Sequence, residues 1–187
     1  MGRWEPNARG RLAKIGLEMF AEQGFERTTA AEIAARAGLT ERTFFRHFTD
    51  KRDVLFYGGE LLEALLAEGI TAAPGTASPV ECVRRALGRA AEAVQSNPER
   101  ARVRDAVIAA HPELRERELT KTAGMVSAID RALQARGVPA TTARLAAEAG
   151  GAAFKVAFAR WVAGPPDADL PTRLAETFTD LGDLLRA

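Results

Sequence analysis

The sequence contains one cysteine, Cys82, and only two histidines. A single cysteine excludes an intramolecular disulfide, and two histidines far apart in sequence form no local zinc pattern, so we expect neither a metal site nor a cofactor. No run of about 18 apolar residues, the length that a membrane-spanning helix needs, occurs in the chain. The first eleven residues also lack the apolar core of a signal peptide. These absences predict a cytoplasmic protein without a membrane partner.

β-branched alternation is scarce, because alanine and leucine dominate a 187-residue chain that is 47% hydrophobic. This composition favours an all-α fold with a substantial core. The net charge of +1 is too small to indicate nucleic-acid binding by itself. No Ser/His/Asp arrangement, phosphate loop or pair of catalytic carboxylates stands out, so we do not expect an enzyme.

Residues 28–51 have the pattern of two short helices joined by a tight turn. Thr29 and Glu32 have the spacing of a capping box at the start of the first helix. Gly38 can adopt the left-handed conformation that ends a helix, and Thr40 can cap the second one. The pattern predicts a helix-turn-helix.

The second short helix, residues 41–47, has two different faces. Phe44 and Phe48 are four residues apart and are predicted to point inward. The residues predicted on the outer face and its margins are polar or aromatic: Arg42, Thr43, Phe45, Arg46 and His47. A short capped helix with such a face fits a DNA major groove.

This stretch resembles the DNA-binding signature of the TetR family of bacterial transcriptional regulators. The matching residues are Phe20, Gly24, Phe25, Thr28, Thr29, Ile33, Ala34, Ala37, Gly38, Thr43, Phe44, Phe45, Phe48, Lys51 and Leu55. The segment RTFFRHF, residues 42–48, has Phe45 where the family usually has tyrosine, and it also has His47. In this it resembles an actinobacterial subgroup that includes the regulator associated with mycofactocin genes. The resemblance implies nine helices and a C-terminal region whose ligand differs from member to member.

By position in the resembling motif, Arg42, Thr43 and Phe45 are the candidates for reading bases, and Arg46 is a further DNA-facing residue. Glu41 has two interpretations, a contact to cytosine or a favourable interaction with the helix dipole, and the second is preferred. The expected phosphate contacts are Thr28, Thr29, His47 and Lys51. Replacing Lys51 by alanine is therefore predicted to reduce the salt dependence of DNA binding.

The remaining helices follow from periodicity and from helix breakers. Residues 1–7 are predicted to be an arm in which Arg3 can reach a phosphate or be solvated, and the first helix covers residues 8–23. The later helices are predicted at residues 51–72, 79–96, 98–110, 112–136, 141–163 and 170–185. We therefore expect a DNA-binding domain in residues 1–50, and a linking helix with a ligand-binding and dimerisation domain in residues 51–187.

Phe154, Phe158 and Trp161 lie at i, i+4 and i+7 of one predicted helix. Such a pattern is either ordinary core or the aromatic wall of a ligand pocket. The predicted lining is Leu87, Arg104, Val107, Met125, Phe154, Lys155, Phe158 and Trp161. It suits a small hydrophobic effector, with acyl conjugates preferred over aromatic drugs, and an acidic head near Arg104 or Lys155. Lys155 can also snorkel or form an ion pair.

The last predicted helix has a stripe of large apolar residues, and Gly151 in the preceding helix allows a close helix approach. A monomer cannot easily bury both helices, so we expect a symmetric homodimer. The predicted interface residues are Gly151, Leu174, Phe178, Leu181 and Leu185.

Taken together, these patterns predict a repressor that binds palindromic double-stranded DNA as a homodimer and is released by a hydrophobic effector. Two alternatives are a ligand-independent architectural DNA-binding protein and a helical protein-interaction module. The effector, the operator sequence and the regulated genes are not specified by the sequence.

Overall fold

The computed structural model describes residues 7–186, and all regular secondary structure in that range is helical. The segments are α1 (Ala8–Gln23), α2 (Ala30–Arg36), α3 (Glu41–His47), α4 (Asp53–Phe56), α5 (Gly59–Thr71), α6 (Pro79–Gln95), α7 (Pro98–Ala110), α8 (Pro112–Ala135), α9 (Ala140–Val162) and α10 (Leu170–Leu184). The all-α class is confirmed. Most of the predicted arm, including Arg3, lies outside the described residues.

The predicted fourth helix, residues 51–72, is present as two segments, α4 and α5. The helix stops at Tyr57, and Gly58 follows with a φ of 93°. A positive φ is incompatible with a continuing right-handed helix and is readily adopted by glycine. Counting α4 and α5 as one interrupted helix gives the nine helices that were expected.

The described residues form two compact units. The first comprises the chain up to Gly58 together with Arg102–Glu118, and the second comprises Gly59–Ala101 and the chain from Leu119 onward. These units do not follow the expected boundary between residues 50 and 51. The first unit is larger than the expected DNA-binding domain of residues 1–50, because α4, the end of α7 and the start of α8 contribute to its core.

The core of the first unit joins residues that are distant in sequence. Phe44 and Phe48, which were predicted to point inward, are buried, as are Phe20, Phe25 and Ile33. The additional buried members come from α4, α7 and α8: Val54, Leu55, Ile108 and Leu114. The core that holds the three short helices α2, α3 and α4 is therefore completed by residues of α7 and α8, which come much later in the sequence.

The second unit is built around α6, which packs against α5, α9 and α10. Its buried residues include Leu66, Ile70, Val83, Leu87, Ile129, Leu133, Trp161, Leu170 and Leu174. The indole of Trp161 is fully buried, and its Nε1–H donates to the carbonyl oxygen of Ala168 at 2.9 Å. No helix within residues 7–186 is long and apolar enough to cross a membrane.

Candidate nucleic-acid interface

The helix-turn-helix begins with a complete capping box at α2. The Thr29 hydroxyl accepts from the Glu32 N–H at 3.2 Å, and the Thr29 N–H donates to the Glu32 carboxylate at 2.8 Å. The hydrogen bond from the Thr29 backbone, followed by that from its hydroxyl, holds the pKa of Glu32 below its ordinary value. The predicted cap is confirmed, and it fixes the start of α2 at the protein surface.

The turn between α2 and α3 depends on Gly38, which has a φ of 68°. The N–H groups of Gly38 and Leu39 donate to carbonyl oxygens of the last turn of α2, at 3.0 and 2.8 Å. Thr40 then caps α3 by accepting from the Thr43 N–H at 3.2 Å, and the two threonine hydroxyls are 3.0 Å apart. The turn and the start of α3 are thus specified by residues within this short stretch.

The two faces of α3 are arranged as predicted. Phe44 is fully buried, whereas 51% of the Phe45 side chain is exposed. Arg42 and Arg46 are exposed, and Thr43 and His47 are half-buried at the margins. Within residues 7–186, no hydrogen bond or ion pair engages Arg42 or Arg46, so both guanidinium groups are available to an external acceptor.

A basic group forms at the end of α3. The Arg9 guanidinium lies over the rings of Phe48 and Tyr57, at 5.7 and 5.6 Å from their centroids. Burial, followed by the positive charges of Arg46 and Arg9, lowers the pKa of His47. The His47 Nε2 atom is buried and has no hydrogen-bond partner within residues 7–186. The Arg9 guanidinium and the His47 ring thus lie near each other at this end of α3.

Lys51 and Thr28, two expected phosphate contacts, form hydrogen bonds with backbone carbonyls of the first unit. The Lys51 ammonium donates to the carbonyl oxygens of Phe25, Glu26 and Thr28 at 2.7, 3.2 and 3.0 Å. Thr28 is fully buried, and its hydroxyl donates to the Gly24 carbonyl at 2.9 Å. Both side chains stabilise the turn that joins α1 to α2.

The predicted effector-lining residues divide between the two units. Leu87, Met125 and Trp161 are buried in the second core, and Phe154 and Phe158 pack against it. The Phe158 ring lies 5.6 Å from Trp161 and 6.4 Å from Phe154, between centroids. Lys155 is exposed, outside this cluster.

Arg104 and Val107 belong instead to the first unit. Arg104 forms an ion pair with Glu118 and donates to the Leu55 carbonyl oxygen, while Val107 packs against the first core.

Most of the predicted dimer residues point into their own unit. Leu174 and Phe178 are 2% and 8% exposed. A Cβ atom added to Gly151 would lie 2.7 Å from Val126 Cγ2 of α8, so this glycine serves a contact within the chain. Leu181 is partly buried against the same core, and Leu185 is 77% exposed.

The exposed apolar stripe on α9 consists of residues that the predicted interface did not include. Leu145 and Val156 are 66% and 49% exposed. The stripe continues through small residues at alternating spacings of four and three: Leu145, Ala149, Ala152, Val156 and Ala159. That spacing is typical of a helix–helix seam and is visible in the sequence.

A cleft of about 290 Å³ in the second unit was also not predicted. Its lining includes Cys82, Arg136, Val138 and Thr142. The Arg136 guanidinium donates to four backbone carbonyl oxygens of residues 70–74, at 2.8 to 3.1 Å. Its role is therefore to close the C-terminal end of α5.

Comparison with known families identifies both parts of the chain. The family described as "Bacterial regulatory proteins, tetR family" matches residues 14–57, and the family described as "MftR C-terminal domain" matches residues 77–186. The first match covers the helix-turn-helix, and the second covers more than half of the chain.

Two curated relatives match less than half of the chain. The transcriptional regulator TcmR of Streptomyces glaucescens is 32% identical over 85 residues, which are 43% of this chain and 38% of TcmR. The transcriptional repressor KstR2 of Mycobacterium tuberculosis is 32% identical over 90 residues, 46% of this chain and 44% of KstR2. The chain thus spans less than half the length of these relatives.

Solved structures with the same fold cover nearly the whole chain. Thermus thermophilus FadR, a TetR-family repressor in complex with lauroyl-CoA, has a TM-score of 0.61 at 24% identity, covering 92% of both chains. SmeT of Stenotrophomonas maltophilia has a TM-score of 0.64 at 21% identity, covering 94% of this chain and 89% of SmeT. Through its helix-turn-helix and its MftR-type C-terminal region, the chain belongs to the TetR family of bacterial regulatory proteins.

Proposed function

We propose that this protein is a transcriptional regulator that binds a palindromic operator as a homodimer and represses until a small hydrophobic effector releases it. The observation that carries the proposal is the outer face of α3. Its exposed Arg42, Phe45 and Arg46 follow a capped N-terminus, and no hydrogen bond or ion pair within residues 7–186 engages the two arginines.

Each exposed group of α3 suits a different part of DNA. The Arg42 guanidinium can donate two hydrogen bonds to the O6 and N7 atoms of guanine, and the Phe45 ring can contact a thymine methyl. Arg46 and His47, at the other end of the helix, suit phosphates. Glu41 lies in the first turn, where its charge favours the helix dipole. Because Phe45 lacks a tyrosine hydroxyl, base contacts there are apolar.

The exposed stripe on α9 supports the homodimer. A row of apolar residues at four-and-three spacing needs a partner helix, and a symmetric pair of α9 and α10 helices supplies one. Of the expected interface residues, Leu185 is the one that remains strongly exposed in a single chain. In the dimer, two α3 helices about 34 Å apart would enter successive major grooves.

The aromatic cluster of the second unit supports a hydrophobic effector. Phe154 and Phe158 are only partly buried against the core, so an apolar ligand can still contact them. FadR is described with lauroyl-CoA and SmeT with triclosan, two ligands of different chemistry that each have an apolar part. We favour an acyl conjugate. Such a ligand releases the operator only if it binds a conformation that does not fit the operator more tightly than it binds the DNA-binding conformation.

Footprinting on the DNA that flanks the protein's own gene tests the DNA-binding proposal. We expect one short palindrome to be protected. Arg42→Ala should weaken binding by roughly 1–3 kcal/mol and relax the preference at one position of each half-site. Arg85→Ala, which removes an exposed arginine from α6, is the control. Protection without a preferred sequence would favour an architectural protein, and no protection would favour a protein-interaction module.

A thermal-shift series with acyl-CoA esters of increasing chain length tests the effector. A true effector stabilises the fold by about 2.7 kcal/mol at a hundredfold excess over its dissociation constant. It must also weaken operator binding by the same factor by which the operator weakens its own binding. Phe158→Leu should reduce the shift, and equal shifts in this variant and the wild type would assign the aromatic residues to the core alone.

A further inference from the structure

Around α4, the first unit contains a cluster of charged side chains from α7 and α8. Arg117 of α8 pairs with the carboxylate of Asp53, and its guanidinium lies 4.6 Å from the centroid of the Phe56 ring. Arg104 of α7 lies over the same ring at 5.4 Å and forms an ion pair with Glu118. Both ends of α4 are thus held by arginines from helices much later in the chain.

The Asp53 carboxylate continues this contact to the recognition helix. One of its oxygens accepts from Arg117, and the other accepts from the N–H groups of Thr49 and Asp50 at 2.7 and 3.4 Å. Thr49 directly follows Phe48, the residue that ends α3. Two hydrogen bonds through one carboxylate therefore join α8 to the C-terminal end of α3.

The protonation state of Asp53 suits this arrangement. Burial raises the pKa of Asp53, but the hydrogen bond from Arg117, the Thr49 N–H, the charge of Arg117 and the Asp50 N–H together outweigh burial and leave the pKa below its ordinary value. The carboxylate is therefore ionised near neutral pH, and it accepts on both oxygens without donating. A charged acceptor forms stronger hydrogen bonds than a neutral one.

We infer that Arg117 is a positioning residue for DNA recognition, which acts through Asp53 and Thr49 to fix the end of α3 without touching DNA. This inference rests on the proposed DNA-binding function. The contact runs from α8 through Asp53, the first residue of α4, to the segment that follows α3. The hydrogen bonds of Lys51 fix the turn after α1, so they cannot substitute for the contact from Arg117 through Asp53.

Operator affinity of matched variants, measured by fluorescence anisotropy over a series of salt concentrations, tests the inference. Arg117→Gln should bind about tenfold more weakly, as expected for loss of a hydrogen bond to a charged group. Its slope of log affinity against log salt should equal that of the wild type, because no phosphate contact is lost. Arg117→Lys keeps the charge and should restore most of the affinity. Arg85→Gln, which breaks an exposed ion pair with Glu81 on α6, should change nothing.

Two further variants protect the test against loss of folding. Asp53→Asn retains an oxygen for the Thr49 N–H but removes the charge, and it should lose affinity as Arg117→Gln does. The double variant should lose no more than either single one, because both act on one contact. Melting curves locate a temperature at which every variant is folded, and affinities are compared there.

Several results would overturn the inference. A weaker Arg117→Gln complex whose salt slope is reduced by about one would make Arg117 a direct phosphate contact. Unchanged affinity, or no rescue by lysine, would make the pair merely structural. Amide exchange of Thr49 is a readout without DNA: it should speed up in Arg117→Gln and not in Arg85→Gln. If the wild type binds no operator but Thr49 responds, the proposed function fails while the positioning contact stands.

Discussion

At the scale of single residues, the ammonium group of Lys51 donates its three protons to three backbone carbonyls between residues 25 and 28. Lys51→Ala leaves these carbonyls without a donor. We expect the free energy of unfolding to fall by about 2 kcal/mol, as for other hydrogen bonds to a charged group. Chemical denaturation measures this loss, and Lys14→Ala, at an exposed position of α1, is the control.

The same variant distinguishes the two roles of Lys51. If the lysine is structural, the folded fraction of Lys51→Ala should bind DNA with an unchanged salt slope. A fully stable variant whose slope is reduced by about one would restore the phosphate contact expected from sequence. That expectation arose because a lysine at the start of a helix resembles a phosphate site. The three acceptors lie 23 to 26 residues earlier in the chain, beyond any local pattern.

We expect His47 to make the proposed operator binding dependent on pH. Burial, together with Arg46 and Arg9, lowers the pKa of the imidazole, so it is mostly neutral at pH 7 in the free protein. A bound phosphate favours the protonated ring and raises its pKa, so binding takes up a proton. Operator affinity should therefore increase as the pH falls from about 7.5 towards 5.5, and His47→Gln should flatten the profile.

Folding responds to His47 in the opposite direction. Because the folded pKa is lower than the unfolded one, the contribution of the neutral ring to stability is present above the unfolded pKa and is lost as the pH falls through the folded value. Each affinity must therefore be measured at a pH at which unfolding curves show that the protein is folded. A wild-type affinity that is independent of pH, or that follows the His47→Gln profile, would rule out a phosphate at this ring.

At the scale of helices, the packing of α9 against α6 depends on Gly150. A Cβ atom there would lie 2.4 Å from Val83 Cγ1 and 3.1 Å from Leu87 Cδ1. Gly150→Ala should therefore destabilise the second unit by about 1–3 kcal/mol, the usual result of overpacking. Gly88 lies within α6 with nothing within 4 Å of an added Cβ, so Gly88→Ala should stabilise by about 0.5–1 kcal/mol. Denaturation midpoints of the two variants should move in opposite directions.

Helix ends were predictable where their cause is local. Thr29 with Glu32, Gly38 and Thr40 act within a few residues of the ends that they set, and the structure has all three as expected. The break at Gly58 was missed because the leucines of residues 61–66 continue a helical pattern past it. Whether a glycine interrupts a helix depends on packing on both sides, which periodicity does not report.

The larger first unit was not predictable from local pattern either. Ile108 and Leu114 have the same apolar character as residues that pack in the second unit. The core in which each of them packs is decided by which helix surfaces meet in the folded chain. For the same reason, Arg104 and Val107 were assigned to an effector pocket, whereas the structure packs them with α4 and the first core.

At the scale of the whole molecule, the α9 stripe sets the expected assembly. Leu145→Glu combined with Val156→Glu places two charges on a surface that is exposed in one chain, so each chain should still fold. In the dimer the same charges would be buried without partners, which is strongly unfavourable. Sedimentation velocity should show a wild-type dimer and a variant monomer, and the monomer should lose most of its affinity for a palindrome.

A matched control separates assembly from general surface charge. Val80→Glu replaces an exposed valine of α6, 53% accessible, that is not on the stripe. It should leave both the sedimentation coefficient and the operator affinity unchanged. A wild-type protein that sediments as a monomer at micromolar concentration, or a double variant that still dimerises, would place the interface elsewhere.

The discontinuity of the first unit has a consequence for synthesis on the ribosome. When residue 58 has left the exit tunnel, Ile108 and Leu114 have not yet been translated, and the core of the first unit lacks them. At about 5–20 residues per second, the nascent helix-turn-helix then waits several seconds for residues 102–118. A chimera that joins residues 1–58 to the C-terminal region of another regulator would lack Ile108 and Leu114 in this core. Transplanting residues 102–118 as well would supply them.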